Sequence, residues 1–188
     1  MSPQDHSWWL LSRSAGIVAL VLVAASTLMG LVLANGLVKA PQARKSIITF
    51  HEQTANAGLA AIGLHGVSLL GDAFLHPSIK DLLVPFAIDY RPVYVATGII
   101  GGYAAAVLGL SFYARKRIGA KRWRKLHRAT PVVYVLALIH TLGAGTDAGS
   151  SWLRAFMLAT AVPAATLLAR RLIATRKAGR ISVNPTKI

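Results

Sequence analysis

Residues 121–140 read KRWRKLHRATPVVYVLALIH. The segment begins as a run of cations and turns within a few residues into an apolar helix with His127 and His140 at its ends. Residues 51–65, HEQTANAGLAAIGLH, repeat the arrangement with His51 and His65. An imidazole in a hydrocarbon layer gives up its hydration, so four of them in two membrane helices call for a ligand to hold. Fourteen residues of helix rise roughly 21 Å and complete close to four turns, which puts His51 and His65 on one face at two depths. Thirteen residues leave His140 well off the face of His127 in an ideal helix. Pro131, four residues after His127, removes the hydrogen bond to that residue's carbonyl, and a local bend or change of winding there is expected to realign the two rings.

Around these two stretches the chain is apolar almost throughout: of 188 residues, 54% are hydrophobic and only 14% charged, with a mean hydropathy of +0.52. The expected fold is an all-α membrane bundle of five transmembrane helices, near residues 8–34, 46–71, 91–113, 125–142 and 151–172. Residues 1–7 form a short outer segment without Lys or Arg, so the first span reads as retained rather than as a cleaved signal peptide. Trp8 and Trp9 suit an interfacial belt, Pro163 is expected to kink the fifth span, and residues 173–188 form a basic tail. No repeat is evident beyond the two histidine helices. The membrane domain, residues 8–172, leaves no room for a soluble domain of ordinary size.

Charge gives the orientation. Of the 21 Lys and Arg residues, 17 fall in the linker after span one, between spans three and four including the first turn of span four, or from the last turn of span five into the tail. The positive-inside rule then makes the C-terminus cytoplasmic and the N-terminus external. The net charge of +15 does not point to nucleic acid, because the cations lie between apolar spans; orientation and attraction to anionic membrane lipid account for it. The absence of Cys excludes disulfides, thiolate-held zinc, iron–sulfur clusters and covalently attached haem.

Spans two and four run in the same direction, so His51 and His127 lie toward the cytoplasmic edge, and His65 and His140 in the outer half. Each cross-helix pair can offer imidazole nitrogens to both faces of one haem iron, giving two b-type haems with bis-His ligation, one above the other. Zinc or non-haem iron fits less well, because the two levels are far apart and carboxylates are scarce. Gly58, Gly63 and Gly66, with Ala55, Ala57 and Ala61, leave room for a flat macrocycle or for close helix packing. Arg13 either snorkels or faces a buried anion such as a haem propionate. Arg128, with Arg124 and Lys125, is placed to reach inner propionates, although most of that basic run reads as an orientation signal and a docking surface for an acidic partner. Glu52 complements the helix dipole in the first turn of span two or lies on a proton route. On the outer side Asp72, His76, Asp81, Asp89 and Arg91 read first as solvated loop residues and second as a transient site for Fe(III). The tyrosines Tyr94, Tyr103, Tyr113 and Tyr134 read as packing or belt residues.

With H-x13-H at His51 and His65, H-x12-H at His127 and His140, the WRKLHR approach to the second histidine helix and Arg13 in the helix before the first, the chain resembles the ferric reductase-like transmembrane domain. That domain is found in ferric reductases, NADPH oxidases and the haem subunit of bacterial methionine sulfoxide reductase systems. The resemblance runs over roughly Trp8 to Leu172. It implies two stacked b-type haems, with His51 and His127 on the inner iron, His65 and His140 on the outer, and electrons passing outward. Two departures matter. No flavin or NADPH domain follows, so the donor is expected to be a separate flavoprotein or a membrane quinol. The histidine that NADPH oxidases carry one turn beyond the outer ligand is Leu69 here, which argues against superoxide production.

The expected function is transmembrane electron transfer to an outer acceptor such as Fe(III), in a cell membrane, most simply a bacterial plasma membrane. One alternative is the haem-binding membrane subunit of a two-component enzyme that feeds an extracytoplasmic oxidoreductase protein. Another, from a different class, is a haem-free small transporter or assembly factor. No nucleophile or general-base constellation is present.

Overall fold

The computed structural model describes residues 3–183, and the side chains of residues 6–176. The first residues of the outer segment and the end of the basic tail, including Lys177, Arg180 and Lys187, lie outside those limits.

The described residues are helical, without strands: α1 (Pro3–Ala34), α2 (Pro41–Ser68), α3 (Ile79–Leu83), α4 (Pro92–Leu110), α5 (Arg115–Ile118), α6 (Ala120–His127), α7 (Thr130–Ala144) and α8 (Ser151–Val183), with a 3-10 turn at Leu69–Gly71. Proline lies in the first turn of α2, α4 and α7, where its missing N–H costs no helical hydrogen bond. Three helical segments are long and apolar enough to cross a bilayer: His6–Ala34, Pro92–Leu110 and Ser151–Arg176. The other two expected spans differ in kind. α2 has 28 residues but carries Gln, Asn, His and Glu along its length, and α7 has only 15.

Helix α1 packs against α2, α7 and α8, while α4 packs against α7 and α2. Helices α1, α2, α4 and α7 therefore form a four-membered ring in which α2 and α7 occupy opposite corners. These two make almost no backbone contact with each other. The tight core lies instead between α1, α7 and α8, where Leu20, Ala24 and Leu31 meet Tyr134, Leu153, Met157 and Ala164. The Tyr134 hydroxyl and Thr160 Oγ1 share a 2.6 Å hydrogen bond there, and Asn35 Nδ2 joins the end of α1 to α8 by donating to the Leu167 carbonyl at 3.0 Å. Large apolar side chains such as Val107, Val162 and Leu158 point outward, as expected of a surface in contact with lipid.

The helix boundaries differ from expectation in three places. Span four is not one helix: α6 stops at His127, and α7 starts at Thr130 after a tight turn in which the Ala129 N–H bonds the Leu126 carbonyl. Pro131 supplies no N–H to the His127 carbonyl, and Thr130 Oγ1 donates to it instead at 3.0 Å. Glu52 is not in a first turn, because α2 begins at Pro41; the helix-dipole argument therefore does not apply to it. The fifth helix continues through Pro163 and past residue 172 into the expected tail.

Candidate functional site

The four histidines meet in two pairs across the gap between the α2 corner and the α6–α7 corner. The His51 and His127 ring centroids are 6.0 Å apart with their planes at 83°, and those of His65 and His140 are 6.1 Å apart at 72°. A metal–imidazole bond is about 2 Å and the ring centre lies roughly 1 Å beyond the nitrogen, so two imidazoles on opposite faces of one metal ion have centroids about 6 Å apart. Both pairs match that separation. Among the described residues no cluster of three or more His, Asp or Glu forms, so each level is a two-imidazole site.

The backbone of the neighbouring helices sets which nitrogen is free. His51 Nδ1 lies 2.9 Å from the Ser26 carbonyl and 3.2 Å from Ser26 Oγ. His65 Nδ1 lies 2.9 Å from the Ser12 carbonyl and 3.1 Å from Ser12 Oγ. His140 Nδ1 lies 2.9 Å from the Tyr94 carbonyl. A carbonyl only accepts, so each of these Nδ1 atoms carries the proton and each Nε2 keeps its lone pair for a ligand. Such a hydrogen bond from the far ring nitrogen fixes the orientation of metal-binding histidines. His127 is the exception: its Nδ1 is buried without a hydrogen-bond partner, and the Trp123 ring stacks on it with centroids 4.9 Å apart.

Gly58 lies against Leu22 and Val23 of α1 and serves helix packing. Gly63 and Gly66 have no neighbour within 4 Å of where a side chain would stand. A bis-imidazole haem fits the donor set and the separation of the pairs. The residues that hold the rings were not singled out by sequence reasoning. Ser12 and Gly16 on α1 recur fourteen residues later as Ser26 and Gly30, the same spacing as His51 and His65. This Ser-x3-Gly repeat was the available signal.

Arg13 follows Ser12 in the chain, and Arg128 follows His127. Arg13 meets an anion, but it is the protein's own: Nε and Nη2 donate to the two Asp147 carboxylate oxygens, each at 2.6 Å, tying α1 to the loop before α8. This pairing holds the Asp147 carboxyl below the ordinary carboxylate range. Arg128 is exposed in the break between α6 and α7. In the outer loops, Asp72 caps the Phe74 and Leu75 N–H groups, and Asp81 forms a capping box with Ser78 at the start of α3. These carboxylates are engaged locally, and His76 and Asp89 join no cluster with them.

The sequence profile described as "Ferric reductase like transmembrane component" matches residues 15–138, roughly two-thirds of the chain. The chain belongs to this family. The match contains His51, His65 and His127 and stops two residues short of His140, which the geometry pairs with His65. Neither the curated proteins nor the solved structures contain a significant match to this ferric reductase-like chain.

Proposed function

We propose that this ferric reductase-like component is a di-haem b-type membrane cytochrome. In this reading His51 and His127 hold the inner haem iron, and His65 and His140 the outer. The single observation that carries it is the 6.0 and 6.1 Å centroid separation of the two imidazole pairs, three of whose four rings keep Nε2 free because Nδ1–H donates to a carbonyl. Bound haem supplies one-electron chemistry at each level. The chain's own residues do the rest. Serine and tyrosine carbonyls fix the imidazole orientation, and α2 and α7 stand apart to leave a slot. The exposed cations of α6 suit the docking of an acidic flavoprotein donor, with a membrane quinol as the other candidate donor. The basic segments favour five spans with the N-terminus outside. A bacterial plasma membrane as location, a donor on the cytoplasmic side and an outer acceptor such as Fe(III) or an extracytoplasmic oxidoreductase complete the proposal, with electrons passing outward.

The deciding experiment is a dithionite-reduced minus oxidised spectrum of the purified chain with haem counted per polypeptide, for wild type, His51→Ala and His65→Ala. Two b-type haems in wild type, reduced to one in each variant, is the expected result. A colourless protein expressed with ample haem would sink the proposal and favour a haem-free transporter or assembly factor.

A further inference from the structure

Beyond His65 and His140 the chain is gripped twice in the same way. In each case the helix whose carbonyl holds the imidazole also lays an aromatic ring on a bare glycine just past the histidine. Trp8, one turn before Ser12 on α1, covers Gly71, six residues after His65. Tyr94 of α4, whose own carbonyl accepts from His140, covers Gly143, three residues after His140. A Cβ at Gly71 would overlap the Trp8 indole, and one at Gly143 would overlap the Tyr94 ring. Both contacts are therefore ring against backbone, closer than a side chain would allow. Arg91 tightens the second grip: its Nη1 donates at 2.5 Å to the Gly143 carbonyl, in the last turn of α7, where helical partners run out. No described glycine near the His51–His127 level carries a Trp, Tyr or Phe ring in this way.

Each seat sets the distance between the helix that offers the carbonyl and the segment that carries the histidine. The Nδ1-to-carbonyl distance is 2.9 Å at both His65 and His140. Such a bond is effectively lost by about 3.6 Å, so a slip of well under ~1 Å between the helices releases a ring that the bond orients. Trp8 and Tyr94 are 46% and 43% exposed and stand outside the core between α1, α7 and α8. A place in an interfacial belt accounts for the exposed edge of each ring, but not for the glycine beneath it.

We infer that Trp8 and Tyr94 are positioning residues for the outer haem. Seated on Gly71 and Gly143, they keep α1 and α4 at the spacing that holds the His65 and His140 planes at 72°. This inference rests on the di-haem reading and adds to it the side chains that fix the outer ligand planes.

The test is the low-temperature EPR spectrum of the oxidised, haem-loaded full chain, with the outer low-spin signal identified as the one missing from His65→Ala. The largest g value of a bis-imidazole ferric haem is greatest when the two ring planes are perpendicular, so rings freed from 72° spread the signal toward lower g. Trp8→Ala and Tyr94→Ala each remove a ring and leave the backbone carbonyls. In each, the outer signal is expected to broaden toward lower g, or to be lost with the outer haem alone, while the inner signal keeps its position. Tyr94→Phe keeps the ring and is expected to match wild type. Trp8→Ala carries the test if Tyr94→Ala fails to fold. An outer signal unmoved in folded Trp8→Ala or Tyr94→Ala, equal displacement of both signals, or a Tyr94→Phe spectrum displaced like that of Tyr94→Ala would overturn the inference and leave the di-haem reading intact. Absence of haem from wild type would defeat that reading instead.

Discussion

The two halves that carry the histidines reach matched geometry by different routes. Helix α2 is a single 28-residue helix, and its fourteen-residue spacing places both rings on one face by periodicity alone. Its partner is two helices, α6 and α7, with a break after His127. A thirteen-residue spacing is out of phase with an α-helix, and the tight turn at residues 128–129 accommodates the mismatch. The unbroken half has both Nδ1 protons taken by serine carbonyls, whereas the broken half has one taken and one orphaned. The helix break that corrects the phase leaves His127 stacked on Trp123, with ring centroids 4.9 Å apart.

The sharpest way to break this comparison is at the glycines. Gly98→Ala brings a methyl within 2.5 Å of the His140 ring and is expected to lower haem content from two per chain toward one, by loss at the outer site. Gly16→Ala, at 3.0 Å, should cost less, and Gly30→Ala, at 3.3 Å, least. Haem counts in a different order would mean that these glycines do not control ring placement. Next in size is the break. Pro131→Ala restores an N–H that can bond the His127 carbonyl and lets α6 run into α7. Reduced inner-haem occupancy with an unchanged outer haem is expected in the difference spectrum; two full haems would show that the break does not depend on this proline. Thr130→Val removes the side-chain donor to the same carbonyl, and a loss of about 1 kcal/mol in thermal stability is expected.

The smallest effect concerns the ion pair that ties α1, which holds the rings of the unbroken half, to the loop beyond α7. Asp147, just beyond α7, holds Arg13 of α1, and its carboxyl is held below the ordinary range first by that hydrogen bond. A depressed carboxylate stabilises the fold above the unfolded-state value, and the contribution is lost as pH falls through the lower folded value. Thermal stability is therefore expected to decline modestly below about pH 4, less so in Asp147→Asn and less so in high salt. Identical acid profiles for wild type and Asp147→Asn would remove the ion pair from the account of how the halves are joined.

Much of this could be read in the chain itself. Helix periodicity and hydropathy are local, so the apolar helices, the shared face of His51 and His65, and the need for a correction at Pro131 follow from residue spacing. The pairing of His51 with His127 and His65 with His140 follows from matched depth. Expectation failed where the deciding partner was far away or had no signature. Arg13 and Asp147 lie 134 residues apart in the chain, and nothing near either names the other. Every residue carries a carbonyl, so the acceptors at Ser12, Ser26 and Tyr94 leave no mark in composition. Only the glycines that clear the way to them do, and the Ser-x3-Gly repeat acquires meaning once α1 is seen packed against α2. By itself the sequence determined two histidine pairs at two depths of an apolar helical chain, because helix geometry is local. Only the tertiary structure decided which imidazole protons are taken and which one is left, because that depends on backbone groups brought alongside from other helices.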